Sequence, residues 1–259
     1  MTTIGYQASS LKDYLTTASD VLSTFAKLKD IGYRHLQLQW IHPDVPFESV
    51  KEALQETGLT CIATQDSFSN VKNNLDLYIT MNKVWNSPSL CVSTIPESQM
   101  NPEGIQAFCT DMVHMSKVLE NHGIQLTYHP VSFNFAKVRG VSAVDLVMEM
   151  LPEDIGLVFC IYHAVKAEID PVGLLERYKG RIQICHIKDS AVFSDDKEYL
   201  VPAGQGQIRW PLIFEACRRT GVQWGLAEQE SFRKDAFVCA RESFEYIISK
   251  GIKSPLSED

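Results

Sequence analysis

Residues 18–40 read ASDVLSTFAKLKDIGYRHLQLQW, and two different periods inside that stretch decide the fold. Val21, Leu22, Phe25, Leu28 and Ile31 recur at three- and four-residue spacing, which gives a helix over 18–31 one apolar face, with Gly32 as its stop. Leu36, Leu38 and Trp40 then alternate with polar residues, the period of a strand over 35–40. A shorter strand, 4–7, precedes the helix. Strand, helix and strand in that order make a crossover unit, and a crossover joins parallel strands.

The rhythm continues to the far end. Strands are expected over 60–66, 89–94, 124–129, 156–162, 181–188 and 222–228. Helices are expected over 46–57, 71–84, 102–121, 143–151, 170–178, 211–220 and 237–250. Gly58 follows the first of these helices, and Asp170-Pro171 opens another with a capping carboxylate and a first-turn proline. Eight strand–helix units close into a single (β/α)8 barrel. An open doubly wound sheet would usually place a glycine-rich turn after its first strand, and residues 6–10, YQASS, contain no glycine. The expected domain is one barrel over 1–252, with 253–259 as a flexible tail. The loop 190–207 is long for such a barrel and suggests a lid or a subunit contact.

The charge balance narrows the partners. With 24 Lys and Arg against 32 Asp and Glu, the formal charge is −8, which disfavours a phosphate backbone and points to a small ligand rather than nucleic acid. Seven scattered cysteines without a CxxC pair exclude a zinc ribbon, and most sit in apolar runs as small buried hydrophobes. The N-terminus lacks the pattern of a signal peptide, and no apolar run approaches the ~20 residues needed to span a bilayer. These features give the expectation of a cytoplasmic protein without membrane contact.

In such a barrel the chemistry gathers at the C-terminal ends of the strands. Those ends carry Trp40 and His42, then Gln65 and Asp66, His129, Cys160 with His163, His186 with Lys188 and Asp189, and finally Glu228, Gln229 and Glu230. Each has a plain alternative: a strand-end histidine is commonly a hydrogen-bonded structural group, Cys160 alone reads as core, and Lys188 as a solvated charge. Paired glycines at Gly204 and Gly206 by themselves only permit positive φ.

From residue 120 to 232 the pattern becomes specific. Tyr128-His129 with Phe133-Asn134-Phe135, the strand ending at Cys160-Ile161-Tyr162-His163, Asp170-Pro171, Gly180-Arg181-Ile182, His186-Ile187-Lys188-Asp189, the run 203–210 AGQGQIRW, and Glu228-Gln229 follow one another in the order of a known signature. The chain resembles the sugar phosphate isomerase/epimerase family of xylose-isomerase-like barrels. That resemblance implies one divalent cation held by Glu, Asp, His and Glu from the last four barrel strands, and proton transfer beside the carbonyl of a ketose. His186 and Glu228 match the third and fourth ligands; Asn134 and Cys160 stand where the first two would be carboxylates.

Those two departures set the alternatives. Losing two hard oxygen donors moves the preference from Mg²⁺ or Mn²⁺ toward Zn²⁺, so the expected cofactor is Zn²⁺ or Mn²⁺, or none. In the first reading the protein is an isomerase, epimerase or related lyase acting on a small ketose, polyol or related carbohydrate. The metal set is then His186, Glu228, Cys160 and Asn134. Glu228 is the base, Lys188 stabilises oxyanion charge, and His163 takes part in catalysis and substrate binding. His129, Gln229, Trp40 and Asp66 contact substrate. In the second, a metal-free, catalytically impaired barrel binds sugar or serves as a partner subunit. A metal-dependent nuclease on a related barrel ranks last. A homo-oligomer agrees with the family resemblance.

Overall fold

The computed structural model describes residues 2–254. The first half runs β1 (Thr3–Gln7), α1 (Ala18–Ile31), β2 (His35–Leu38), α2 (Phe47–Thr57), β3 (Thr60–Ser67), α3 (Phe68–Asn73), α4 (Leu75–Val84), β4 (Ser89–Ser93) and α5 (Pro102–Glu120). Sequence-local chemistry fixes the helix ends. Thr17 caps α1 by accepting from the Asp20 N–H, and Gly32 closes it at φ 127°. Asn101 and Pro102 open α5 with a side-chain cap and a first-turn proline.

The second half runs β5 (Gln125–His129), β6 (Lys137–Val138), β7 (Val141–Ser142), α6 (Ala143–Met150), β8 (Gly156–Cys160), α7 (Ile161–Lys166), α8 (Pro171–Arg177) and β9 (Ile182–Ile187). It ends with β10 (Asp189–Val192), β11 (Glu198–Val201), α9 (Trp210–Thr220), β12 (Trp224–Ala227) and α10 (Ala236–Ser249). β1, β2, β3, β4, β5, β8, β9 and β12 close into one barrel, with every neighbouring pair parallel. This is the (β/α)8 barrel that the alternating pattern predicts.

Three local expectations need correction. The helix expected over 71–84 is two helices, α3 and α4, which meet at Asn74 in a non-helical conformation. The strand expected over 156–162 stops at Cys160 and turns at once into α7, so His163 stands on a helix rather than at a strand end. The long loop over 190–207 contains an antiparallel hairpin, in which β10 continues directly from the end of β9 and pairs with β11. Lys253, assigned to the tail by sequence, exchanges backbone hydrogen bonds with Thr2 and Ile4 beside β1; residues 255–259 lie outside the described residues.

The larger apolar core lies between the strands and the helices, and a smaller cluster of Ile62, Ala63, Cys91, Val158, Ile184 and Leu226 packs separately. Side chains on a strand alternate faces with a period of two. Val158 precedes Cys160, Ile184 precedes His186 and Leu226 precedes Glu228 by two residues, so the face that builds this apolar floor carries the polar groups one layer higher.

Two motif residues prove to be architectural. Asp189, nearly inaccessible, accepts from the backbone N–H groups of Ser190, Gly204, Gly206 and Ile208 and from the Trp210 indole. A Cβ on Gly206 would stand 2.1 Å from Asp189 Oδ1, so the glycine is there because the loop wraps the carboxylate too closely for a side chain. Arg181 donates to the carbonyls of Met148, Leu151, Pro152 and Ile155, holding the turn after α6 against the barrel.

Candidate active site at the barrel mouth

β5, β8, β9 and β12 are consecutive around the barrel, which sets their C-terminal ends side by side. Cys160 pairs in register with His186, and the Glu228 N–H donates to Ile187 at 3.2 Å. The result is a buried cluster. Single ligand atoms of His129, Cys160 and His186 all lie within 4.8 Å of one another. Glu228 Oε2 lies 3.2 Å from His186 Nδ1 and 3.9 Å from Cys160 Sγ. The His129 and His186 rings tilt against each other with centroids 4.9 Å apart.

Among the described residues, both ring nitrogens of His129 and the Nδ1 of His186 are buried without a hydrogen-bond partner. The His186 Nδ1 faces Glu228 Oε2 across 3.2 Å. Burying unpaired polar atoms is costly, roughly 1–3 kcal/mol each, and atoms converging in this way could hold a cation. Two imidazoles, a thiol and a carboxylate fit a borderline-soft divalent ion such as Zn²⁺.

The electrostatics are organised around one anion and one cation. Burial by itself would raise the Glu228 pKa, but His186, Lys188 and His129 outweigh it and hold the carboxyl well below its usual range. Burial opposes the Lys188 charge, yet Glu228, Cys160 and Glu230 together keep its pKa above the ordinary lysine value. Lys188 Nζ is 2.7 Å from Glu230 and lies over the Tyr162 ring, 5.2 Å from its centroid. Burial and the Glu228 charge push Glu230 up to about 7. Burial, and next the charge of Glu228, raises the Cys160 thiol. His129 is held well below the normal histidine value by burial and by His186 and His163. His163 is lowered to about 4 by burial and the Lys188 charge, and its Nδ1 meets Ser132 Oγ at 2.9 Å.

The remaining residues singled out from the sequence lie elsewhere or are occupied. The Asn134 side chain is taken up by its own loop and by the one after β4: Oδ1 accepts from Val131 N–H and Thr94 Oγ1, and Nδ2 donates to Ile95 O. Gln229 donates to Leu200 O and Ser231 O, tethering β11. Trp40 and Asp66 line a cavity of about 340 Å³ at the ends of β2 and β3, with His42, Gln39, Gln65 and Tyr78. Trp40 is half exposed in a left-handed conformation with φ 59°, and Asp66 accepts from Tyr78, Asn70 and the Ser67 N–H.

Sequence reasoning placed Gln65 at a strand end but missed the other amides behind the cluster. Gln37 Oε1 meets His186 Nε2 at 2.6 Å and belongs to a buried series with Gln7, Gln39 and Gln65. The signal was available: Gln37 and Gln39 alternate with Leu36 and Leu38, so β2 turns polar amides toward one face and leucines toward the other.

A closed barrel with a buried N, S and O donor set at its mouth defines the class. The chain belongs to the xylose isomerase-like TIM barrel family, whose family model matches residues 25–249. Inosose dehydratase from Lacticaseibacillus casei is 28% identical over 144 residues, 48% of this chain and 47% of that protein, so the chain spans about half the length of the curated relatives it matches. A sugar phosphate isomerase/epimerase from Parabacteroides distasonis ATCC 8503 superposes with a TM-score of 0.81 at 20% identity, covering 98% of this chain and 100% of that one. A 3-keto-D-glucoside 4-epimerase from E. coli gives 0.72 at 15% identity, covering 96% and 100%. At these identities the structural likeness is one of fold. No described helix is long and apolar enough to cross a membrane.

Proposed function

We propose that this barrel is an isomerase- or epimerase-like enzyme that moves a proton at the carbon beside the carbonyl of a small ketose or related carbohydrate. The observation that carries the reading is Glu228: a buried carboxylate kept ionised, 3.2 Å from His186 Nδ1 and beside a buried lysine cation. Glu228 takes the proton from the α-carbon, and its electron pair moves into the C–C bond as charge develops on the carbonyl oxygen. Lys188 offsets that oxygen charge. His163 lies on the adjoining helix as a neutral imidazole that can hold a substrate hydroxyl or return a proton.

His129, Cys160, His186 and Glu228 would hold a divalent ion, with His129 taking the place that sequence matching gave to Asn134. Such an ion supplies Lewis-acid polarisation of a ketone oxygen. Trp40 and Asp66 would contact the part of the substrate that reaches the β2–β3 side.

This donor set contains one carboxylate. A mechanism that shuttles a proton between two opposed carboxylates is therefore not what these residues suit. Single-base enolisation, followed by reprotonation or by loss of a β-hydroxyl as water, suits them better, and a curated relative is named as a dehydratase.

Two measurements test the reading. The wild-type protein should take up about one equivalent of Zn²⁺, and it should exchange the α-proton of a responsive ketose in heavy water. Glu228→Gln should abolish that exchange. Exchange at the wild-type rate in Glu228→Gln would remove Glu228 as the base. Failure to retain Zn²⁺, Mn²⁺ or Co²⁺ after saturation would favour the metal-free sugar-binding alternative.

A further inference from the structure

We propose that Gln37 is a positioning residue: it holds the His186 ring by Nε2 and so turns Nδ1 toward Glu228. The geometry behind this is independent of any bound ion, while its use at the site rests on the function proposed above.

The orientation of the amides follows from a group that can only donate. The backbone N–H of Ser9 meets Gln7 Oε1 at 3.4 Å, as the side-chain cap of the turn after β1. That leaves Gln7 Nε2 to face Gln37 Oε1 at 3.2 Å and Gln39 Oε1 at 3.3 Å. With its oxygen so directed, Gln37 points Nε2 at Gln65 Oε1, 3.0 Å away. The same Gln37 oxygen lies 2.6 Å from His186 Nε2, so that nitrogen must carry hydrogen. Gln7, Gln37, Gln39, Gln65 and His186 are all buried. Reversing any one amide sets donor against donor or acceptor against acceptor, and each mismatch leaves a buried group unsatisfied.

The consequence is a fixed ring. Nε2 keeps its hydrogen toward Gln37, and Nδ1 is the nitrogen left facing Glu228 Oε2, 3.2 Å away. A hydrogen bond to the far nitrogen of a ligating imidazole orients the ring and raises its basicity. Here three strands, β1, β2 and β3, which contribute none of the four proposed ligands, set the direction of a ligand on β9.

The test is nitrogen-15 NMR of histidine-labelled, metal-free protein, with the His186 signal identified by its loss in His186→Asn. Wild-type His186 should show hydrogen fixed on Nε2. Gln37→Leu should release that hydrogen from its fixed place and weaken zinc binding roughly 10- to 100-fold. Gln37→Glu keeps the acceptor and should keep the hydrogen on Nε2, which a merely structural role would not predict. A wild-type Nε2 without hydrogen, or an unchanged Nε2 signal and zinc affinity in Gln37→Leu, would overturn the proposal. A wild type that binds no zinc yet shows the hydrogen on Nε2, lost in Gln37→Leu and kept in Gln37→Glu, supports the positioning role and removes only the metal reading.

Discussion

Lys188 Nζ sits 2.7 Å from Glu230 and, through its charge, helps hold Glu228 ionised, so one cation is shared by two buried carboxyl groups. Lys188→Met should lower α-proton exchange by about 10²–10³-fold, the usual effect of deleting a donor that stabilises oxyanion charge. It should also destabilise the fold by about 3–5 kcal/mol in urea titration, because two carboxyls lose their buried counter-charge. Adding Glu230→Gln relieves part of that charge imbalance. The double variant should regain stability without regaining exchange; recovery of both together would show that Lys188 acts on structure alone.

The loop around Asp189 gives a second prediction. Its two oxygens accept from five N–H donors. Asp189→Asn replaces one oxygen with an amino group aimed at donors, and should cost about 2–4 kcal/mol, since hydrogen bonds to a charged acceptor are individually worth roughly 1.5–3 kcal/mol. Gly206→Ala should destabilise through the same carboxylate, because its new methyl would overlap Asp189 Oδ1 and Ser190 O. The two substitutions share one contact, so the double variant should lose less than the sum of the singles. Strict additivity in urea midpoints would contradict this account.

The sequence reading went furthest where one residue determines its own structure. The periods of three to four and of two located the barrel strands, and the strand-end rule brought His186, Cys160, His129 and Glu228 to one mouth. Its limits were set by contacts across the fold. Nothing in the local sequence says that the Asn134 amide is consumed by Val131, Thr94 and Ile95, leaving His129 bare beside Cys160. Likewise, Gly204 and Gly206 look like ordinary loop glycines until Asp189, fifteen and seventeen residues earlier, is seen inside their turn. The break at Asn74 hides within a continuous apolar pattern, because α3 and α4 each keep a buried face.

His163 makes stability depend on pH. In the folded metal-free protein its pKa is about 4, against an ordinary value near 6.5. Above pH 6.5 it is neutral in both states and contributes no dependence. Below that the unfolded chain takes a proton that the folded protein refuses until about pH 4, so stability falls across this window. The full loss is about 3 kcal/mol. Glu230, raised to about 7, acts in the opposite sense by taking a proton first in the folded state. The measurement is therefore the difference between wild type and His163→Gln at matched pH. The variant should gain on the wild type by about 3 kcal/mol between pH 7.5 and 4, and parallel stability curves would contradict the assignment.

Cys160 decides which ion the mouth prefers. Its sulfur faces His129, His186 and Glu228, and in the metal-free protein burial and the Glu228 charge keep it a thiol. A thiolate ligand therefore requires the ion to displace a proton, so zinc affinity should rise with pH and each ion bound should release about one proton. Replacing the sulfur with a carboxylate removes that requirement and substitutes a hard donor for a soft one. Cys160→Asp should weaken Zn²⁺ relative to Mn²⁺ by at least about tenfold, following ligand softness. It should also flatten the pH dependence of binding, which competition titration with a chromogenic chelator reads directly. The cobalt-loaded wild type should show sulfur-to-metal charge-transfer absorption that Cys160→Asp and Cys160→Ser both lose. If that absorption is missing from the wild type, or survives in Cys160→Ser, the sulfur is not a ligand and the site is an imidazole–carboxylate one.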